Sequence, residues 1–206
     1  MENDVSPRIL NIGAGKTTWI ENYLKDTKCN FICDRVDADD CTVNHQFVEK
    51  CYRCSAETMS PLDANKYQIA FANWVLEHVS DLYKVSSEIF RVLRPSGIFI
   101  TTIPNPTSFE ILLSKWTPFW FHKIVRGNNA WETHYAYSSV RELIEIFESA
   151  GFKVVEIKHF PFIEGYLSLF PFLGILGKLY DKIISYMNIK RLMSNICLTF
   201  AKRDDY

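Results

Sequence analysis

The stretch ILNIGAGKTTWIENYL, Ile9 to Leu24, decides the fold. It joins a short apolar run, a turn with two glycines, and a segment with helical spacing in which Trp19, Ile20, Tyr23 and Leu24 occupy neighbouring faces. Two chemistries use such a unit. The phosphate loop of an NTPase needs G-x4-G-K-[ST], with its first glycine letting the backbone wrap the phosphates. With Gly15, Lys16 and Thr17 as its end, that glycine would stand at position 10, which is Leu10, inside the apolar strand. The loop is then too short to encircle a triphosphate. The other reading is a strand, a tight glycine turn and a helix N-terminus with free N–H groups, where doubly wound folds bind adenosine cofactors. That reading requires an acid at the end of the next strand, about 20 residues on. NFICD (Asn30–Asp34) supplies Asp34, with Asp37 close behind.

Working outward, strand and helix patterns alternate. Arg8–Ile12, Asn30–Asp34, Lys66–Ala72 and Ile98–Ile103 read as strands. Ser80–Leu93 reads as an amphipathic helix with Ser80 as its N-cap, stopped by RPSG. Ser138–Phe152 is a second amphipathic helix with Gly151 past its end, and Lys153–Phe160 and Asn195–Arg203 are further strands. Such alternation implies parallel pairing in an α/β sheet covered on both faces. No repeat, low-complexity tract or linker interrupts the 206 residues, so a single domain spanning 1–206 is expected.

Composition narrows the partners. With 23 basic and 24 acidic residues the net charge is −1, which gives no electrostatic footprint for nucleic acid. MENDVSPR carries no apolar signal region, and the longest uncharged apolar run, Gly165–Gly177, is interrupted by Pro171 and short of the roughly 20 residues a spanning helix needs. A cytoplasmic protein is expected. Cys41, His45, Cys51 and Cys54 contain one C-x2-C pair, but the other two have no familiar zinc spacing; reduced, partly buried thiols and no metal are the expectation.

Longer segments carry a resemblance. ILNIGAGKT is similar to the first motif of class I S-adenosylmethionine-dependent methyltransferases, h-h-[DEN]-h-G-x-G-x-G, in the broad group that includes quinone-biosynthesis enzymes. CSAETM (Cys54–Met59) resembles their adenine-side motif. YQIAFANWVLEHVSDLYKVSSEIFRVLRPSGIFITTIPN (Tyr67–Asn105) is the most specific match, and HYAYSSVRELIEIFESAGFKVVEI resembles their late helix–strand segment. Thr17 stands for the usual third glycine, Asn11 for a frequent acid, and Ser55 for an acid beside the adenine.

The resemblance implies a doubly wound, mostly parallel seven-stranded sheet with helical cap insertions at about 106–137 and 161–192. It implies S-adenosylmethionine as cofactor and S-adenosylhomocysteine as product. Asn11, Gly13, Gly15, Asp34, Ser55, Ala56, Glu57 and Asn73 fall at the cofactor positions. His134, then His78, then His122 are the candidate bases, should the acceptor need one. The two cap segments are rich in large apolar residues, which points to a small, hydrophobic or lipid-linked acceptor or to peripheral membrane contact. Lys178, Lys182, Lys190 and Arg191 suit an interface. A homodimer face and simple capping of the core are the plainer uses of the same residues. The motif departures leave a second class open, a non-catalytic methyltransferase-like subunit.

Overall fold

The computed structural model describes residues 6–106, 108, 136–167 and 171–204. Seven strands form one sheet in the order β3-β2-β1-β4-β5-β7-β6. They are β1 (Arg8–Ile12), β2 (Ile32–Asp37), β3 (Val48–Arg53), β4 (Tyr67–Asn73), β5 (Leu93–Pro104), β6 (Phe152–Phe160) and β7 (Asn195–Lys202). The pairs among β1 to β5 are parallel, and β7 runs antiparallel between β5 and β6. The order reverses beside β1, so the chain winds first one way and then the other. The mouth beside the carboxyl ends of the strands at such a reversal is where open α/β sheets bind ligands.

Alternating side chains serve two cores. Leu10, Ile12, Ala70 and Ala72 face the larger one, with α2 (Leu82–Val92) and α3 (Val140–Ser149) packed over it through residues such as Val85, Ile89, Leu143 and Phe147. Phe99, Phe147 and Phe200 stack there, with centroids 5.2 Å apart for the first two and 4.8 Å for the last two. Ile9, Phe31, Cys33 and Phe71 face the other side, where Ile20 and Leu24 of α1 (Trp19–Asp26) cover them. Trp19 and Tyr23 of α1 point outward and are exposed.

The elements differ from the sequence reading at four places. Strand β2 runs on to Asp37 rather than stopping at Asp34. The edge strand β3 was not anticipated; VEKCYR has three charged residues and no apolar run, the composition of a protected sheet edge. The N-cap of α2 is Asp81, whose carboxylate accepts from Lys84 N–H at 3.1 Å, and Ser80 is used elsewhere. Strand β5 begins at Leu93, directly after α2, so RPSG lies within its span. The segment between β6 and β7 holds α4 (Ile163–Leu167), α5 (Pro171–Met187) and a 3-10 turn at Lys190–Leu192. Most of the expected cap at about 106–137 lies outside the described residues.

One buried cation ties the last strand to the rest. Lys202 Nζ donates to Asn65 Oδ1 at 3.0 Å and to the carbonyls of Phe90 at 2.8 Å and Leu93 at 2.7 Å. It thereby meets carbonyls left over at the C-terminal end of α2.

Candidate active site

The glycine turn follows β1 in left-handed backbone, with φ of +65° at Gly13 and +53° at Gly15. That region costs an ordinary residue roughly 1–2 kcal/mol, which explains the glycines. A Cβ at Gly13 would run into the side chain of Val75, whereas one at Gly15 would meet nothing within 4 Å. The turn is open at Gly15. Gly13 N–H and Ala14 N–H both donate to Val36 O, at 2.8 and 3.1 Å, docking the turn onto the end of β2.

A buried polar group holds the turn from below. Arg35 is fully buried, and its Nη2 donates to the carbonyls of Ala14, Gly15 and Thr17 at 2.9, 3.1 and 2.8 Å. Its Nη1 pairs with Glu21 of α1, which also accepts from Asn11 Nδ2 at 2.9 Å. The guanidinium fork thus draws three turn carbonyls inward. Among the described residues Thr18 at the N-terminus of α1 makes no side-chain cap bond, so no side chain of its own cap satisfies the first N–H groups of the helix. Asn11 belongs to this brace and is buried.

The two acids of β2 have different fates. Asp34 has no exposure, and its Oδ2 accepts from Lys66 Nζ at 2.8 Å and from Tyr67 Oη at 2.7 Å. Burial, then the Asp34 carboxylate beside it, pushes the Tyr67 phenol up. Burial pulls the Lys66 ammonium down, but its bond and charge contact with Asp34 outweigh that and raise it. The structure therefore does not bring Asp34 to the glycine turn. It lies in the strand interior, opposite Leu10, because β2 ends three residues later than its apolar pattern suggests. Asp37 ends the strand, half-buried. Its Oδ2 accepts from Gly15 N–H at 2.8 Å and its Oδ1 from Asp39 N–H at 2.9 Å, while its carbonyl accepts from Cys54 N–H at 2.9 Å.

That last bond brings in the turn at residues 54–57. Ser55 is exposed and closes it, Oγ accepting from Glu57 N–H at 3.1 Å; Ala56 is half-buried. The Glu57 carboxylate points away to the start of α2. Its Oε1 accepts from Ser80 N–H, Ser80 Oγ and Asp81 N–H at 2.7, 2.8 and 2.9 Å. Glu88 and Arg91 of α2 fasten the same loop, Glu88 accepting from Met59 N–H and Arg91 donating to the carbonyls of Met59 and Leu62. Glycine turn, end of β2 and this loop thus converge on Asp37.

Asn73 ends β4 beside the glycine turn, half-buried. Trp74 follows with φ of +52°, a conformation that strains a bulky residue. Its N–H donates to Thr102 O at 2.8 Å and its indole Nε1 to Asn195 Oδ1 at 3.1 Å. Its ring lies 5.9 Å from that of Phe162, and both rings are about two-fifths exposed, at 41% and 40%. His78 is half-buried on the segment from β4 to α2, its N–H donating to Val75 O at 2.9 Å. His122 and His134 lie outside the described residues. Sequence reasoning also missed Arg35 and Trp74, for neither has a spacing that marks it.

Among the described residues, no three His, Cys, Asp or Glu side chains come together as a metal site would require. Cys51 donates its thiol to Cys41 O at 3.3 Å, and His45 faces Asn22 at 3.3 Å.

A family model described as a methyltransferase domain matches residues 1–157. A probable S-adenosylmethionine-dependent methyltransferase of Mycolicibacterium smegmatis is 36% identical over 80 residues, which are 39% of this chain and 26% of that protein. The chain thus spans about a quarter of the length of that curated relative. Among solved structures, an S-adenosylmethionine-dependent methyltransferase from Mesorhizobium loti superposes with a TM-score of 0.63 at 12% identity, covering 96% of this chain and 91% of that one. A geranyl diphosphate C-methyltransferase from Streptomyces coelicolor, solved with S-adenosylhomocysteine, gives 0.61 at 15% identity over 96% and 70%. At such identities the likeness is one of fold.

Proposed function

The chain belongs to the methyltransferase-domain family, and from that premise we propose that it transfers the methyl group of S-adenosylmethionine to a small apolar or lipid-linked acceptor. The observation that carries the reading is the convergence on Asp37. Two of its lone-pair sites are taken by Gly15 and Asp39, and a carboxylate has about four, so it keeps capacity for two ribose hydroxyls. Asp37 takes the part that the sequence assigned to Asp34. The open flank of Gly15 and the first N–H groups of α1 suit the amino-acid end of the cofactor. Ser55 and Ala56 suit the adenine through their backbone. Gly13 and Asn11 serve by shaping and bracing the turn, and Glu57 by anchoring the adenine loop to α2.

S-adenosylmethionine supplies a methyl group on a sulfonium, already a good leaving group. The chain's contribution is then to align the acceptor atom with that methyl in a site that excludes water. Asn73 and the Trp74–Phe162 pair line the acceptor side in this reading. The two exposed rings offer apolar area with a polar edge, and they favour an apolar acceptor. An acceptor that must lose a proton draws on His78, His134 or His122. Residues 1–206 act as one catalytic unit, with cap segments at about 106–137 and 161–192.

Calorimetric titration with S-adenosylhomocysteine tests the cofactor, and transfer of labelled methyl to isoprenoid phenols and quinols tests the acceptor class. One observation favours the alternative of a non-catalytic subunit: the side chains of Asn11 and Glu57 are both spent on internal bonds. Folded protein that binds neither S-adenosylmethionine nor S-adenosylhomocysteine would favour that alternative.

A further inference from the structure

Helix α5 turns its apolar residues the wrong way for a core helix. Its small or buried positions, Gly174, Gly177, Asp181 and Ile184, face inward. At Gly177 a Cβ would come within 2.9 Å of Glu164 Cα, so α5 lies close against α4. Phe172, Ile175, Leu176, Leu179, Ile183 and Tyr186 are 45 to 92% exposed. At about 100° per residue these six fall within an arc of roughly 120°. An exposed apolar face of this extent marks an interaction surface.

The charges beside that arc have one sign. Lys178 and Lys182 flank it on one side, and Lys190 and Arg191 follow in the next turn, all exposed. None of the four forms an ion pair among the described residues. The one acid of α5, Asp181, is turned inward and accepts from Ile163 N–H at 3.0 Å and Glu164 N–H at 2.9 Å, capping α4. An apolar arc bordered by unpaired lysines is the pattern of a helix lying in a lipid interface. A second copy fits less well, because a two-fold interface would set the same cations against each other. No described helix is long and apolar enough to cross a membrane, so α5 would lie along the surface.

We propose that the outer face of α5 docks this chain on an anionic lipid bilayer. The helix sits between β6 and β7. Phe160 at the end of β6 pairs with Asn195, and Asn195 with Pro104 at the end of β5, so the segment that holds α5 leaves and rejoins the sheet at the strand ends from which the glycine turn and Trp74 also project. Docking there brings the acceptor side of the site to the bilayer. The inference deepens the apolar-acceptor reading in purpose, but the binding stands on the surface alone.

The test is co-sedimentation with vesicles of phosphatidylcholine, with and without phosphatidylglycerol. The expected result is binding to the anionic vesicles. Lys178→Glu with Lys182→Glu should lower the partition coefficient on the order of tenfold or more. Leu176→Ser with Ile183→Ser should abolish it. All four residues are exposed, so melting temperature and S-adenosylhomocysteine binding should not change in either variant. Wild-type protein left in the supernatant with both vesicles would overturn the proposal. So would binding that neither variant alters. A doubled mass by light scattering that Leu176→Ser with Ile183→Ser returns to one chain, without vesicle binding, would overturn it in favour of a dimer. Loss of cofactor binding with vesicle binding intact would sink the methyl-transfer reading and leave this one standing.

Discussion

Asp37 and Gly15 are joined by a 2.8 Å hydrogen bond from the backbone N–H of the glycine to the carboxylate. The bond spans the gap between two parallel strands at their carboxyl ends and leaves the carboxylate half-exposed. Asp34, three residues earlier, is sealed between Lys66 and Tyr67. The two acids should therefore fail differently. Asp37→Ala should weaken S-adenosylhomocysteine binding by about tenfold or more, as expected for charged hydrogen bonds, with a small change in melting temperature. Asp34→Ala should leave the half-buried Lys66 ammonium and the buried Tyr67 hydroxyl without their partner and cost about 1–3 kcal/mol of stability. Calorimetry and urea unfolding on the two variants separate these outcomes.

Arg35 should behave as a positioning residue. Arg35→Met removes three bonds to the turn and leaves Glu21 buried and charged, so it should destabilise by about 3–5 kcal/mol. Arg35→Met with Glu21→Leu should recover much of that stability, since a buried ion pair can be replaced by apolar side chains at little cost. Cofactor affinity should stay reduced in the double variant, because the carbonyls of Ala14, Gly15 and Thr17 remain unheld. Full recovery of affinity would show the brace to be structural only.

The two turn glycines should also part company. Both have positive φ, so alanine at either costs roughly 1–2 kcal/mol of backbone strain. Gly13→Ala adds a collision with Val75 and should unfold at lower denaturant, with partial rescue by Val75→Ala. Gly15→Ala meets open space in the protein, so its main effect should appear in cofactor titration, where the new methyl occupies the ligand's side.

Acid should weaken the turn at residues 54–57 through Glu57. Burial opposes its charge, but the bonds from Ser80 and Asp81 outweigh burial and hold its carboxyl below the usual range. Its stabilisation is complete above the unfolded value, about pH 4.3, and is lost as pH falls through the lower folded value. Glu57→Gln should melt lower than wild type at neutral pH and show a shallower fall in melting temperature in that acid window.

Most of the sheet was legible because its inner strands are apolar runs and its helices keep a clear period. Ile9–Ile12, Ile69–Ala72 and α2 needed only that. Strand β3 was not, since an edge strand hides in charged residues such as Glu49, Lys50 and Arg53. The glycine turn and CSAETM, on which the proposed site is built, were legible, but the burial of Asp34 and the docking of Asp37 on Gly15 were not. Sequence places the end of a strand where its apolar pattern stops, and β2 continues past it with Asp34 and Arg35 both buried by long-range partners. A buried Asp paired with Lys and Tyr from 32 and 33 residues away leaves no local mark. The outward turn of α5 was also out of reach, because an apolar run does not say which way it faces.

The place of β7 has a consequence for how the chain is made. It is the last strand in order and lies between β5 and β6, held in part by the Lys202 clasp. During synthesis, β5 and β6 exist before the strand that joins them. Until Asn195–Lys202 has left the ribosome, the nascent chain carries unpaired edges at both, with Phe99 and Phe152 lacking Phe200. Vectorial folding can assemble β1 to β5 early, but the closing step waits for the emergence of β7, and in that interval the chain is most open to chaperones and to aggregation.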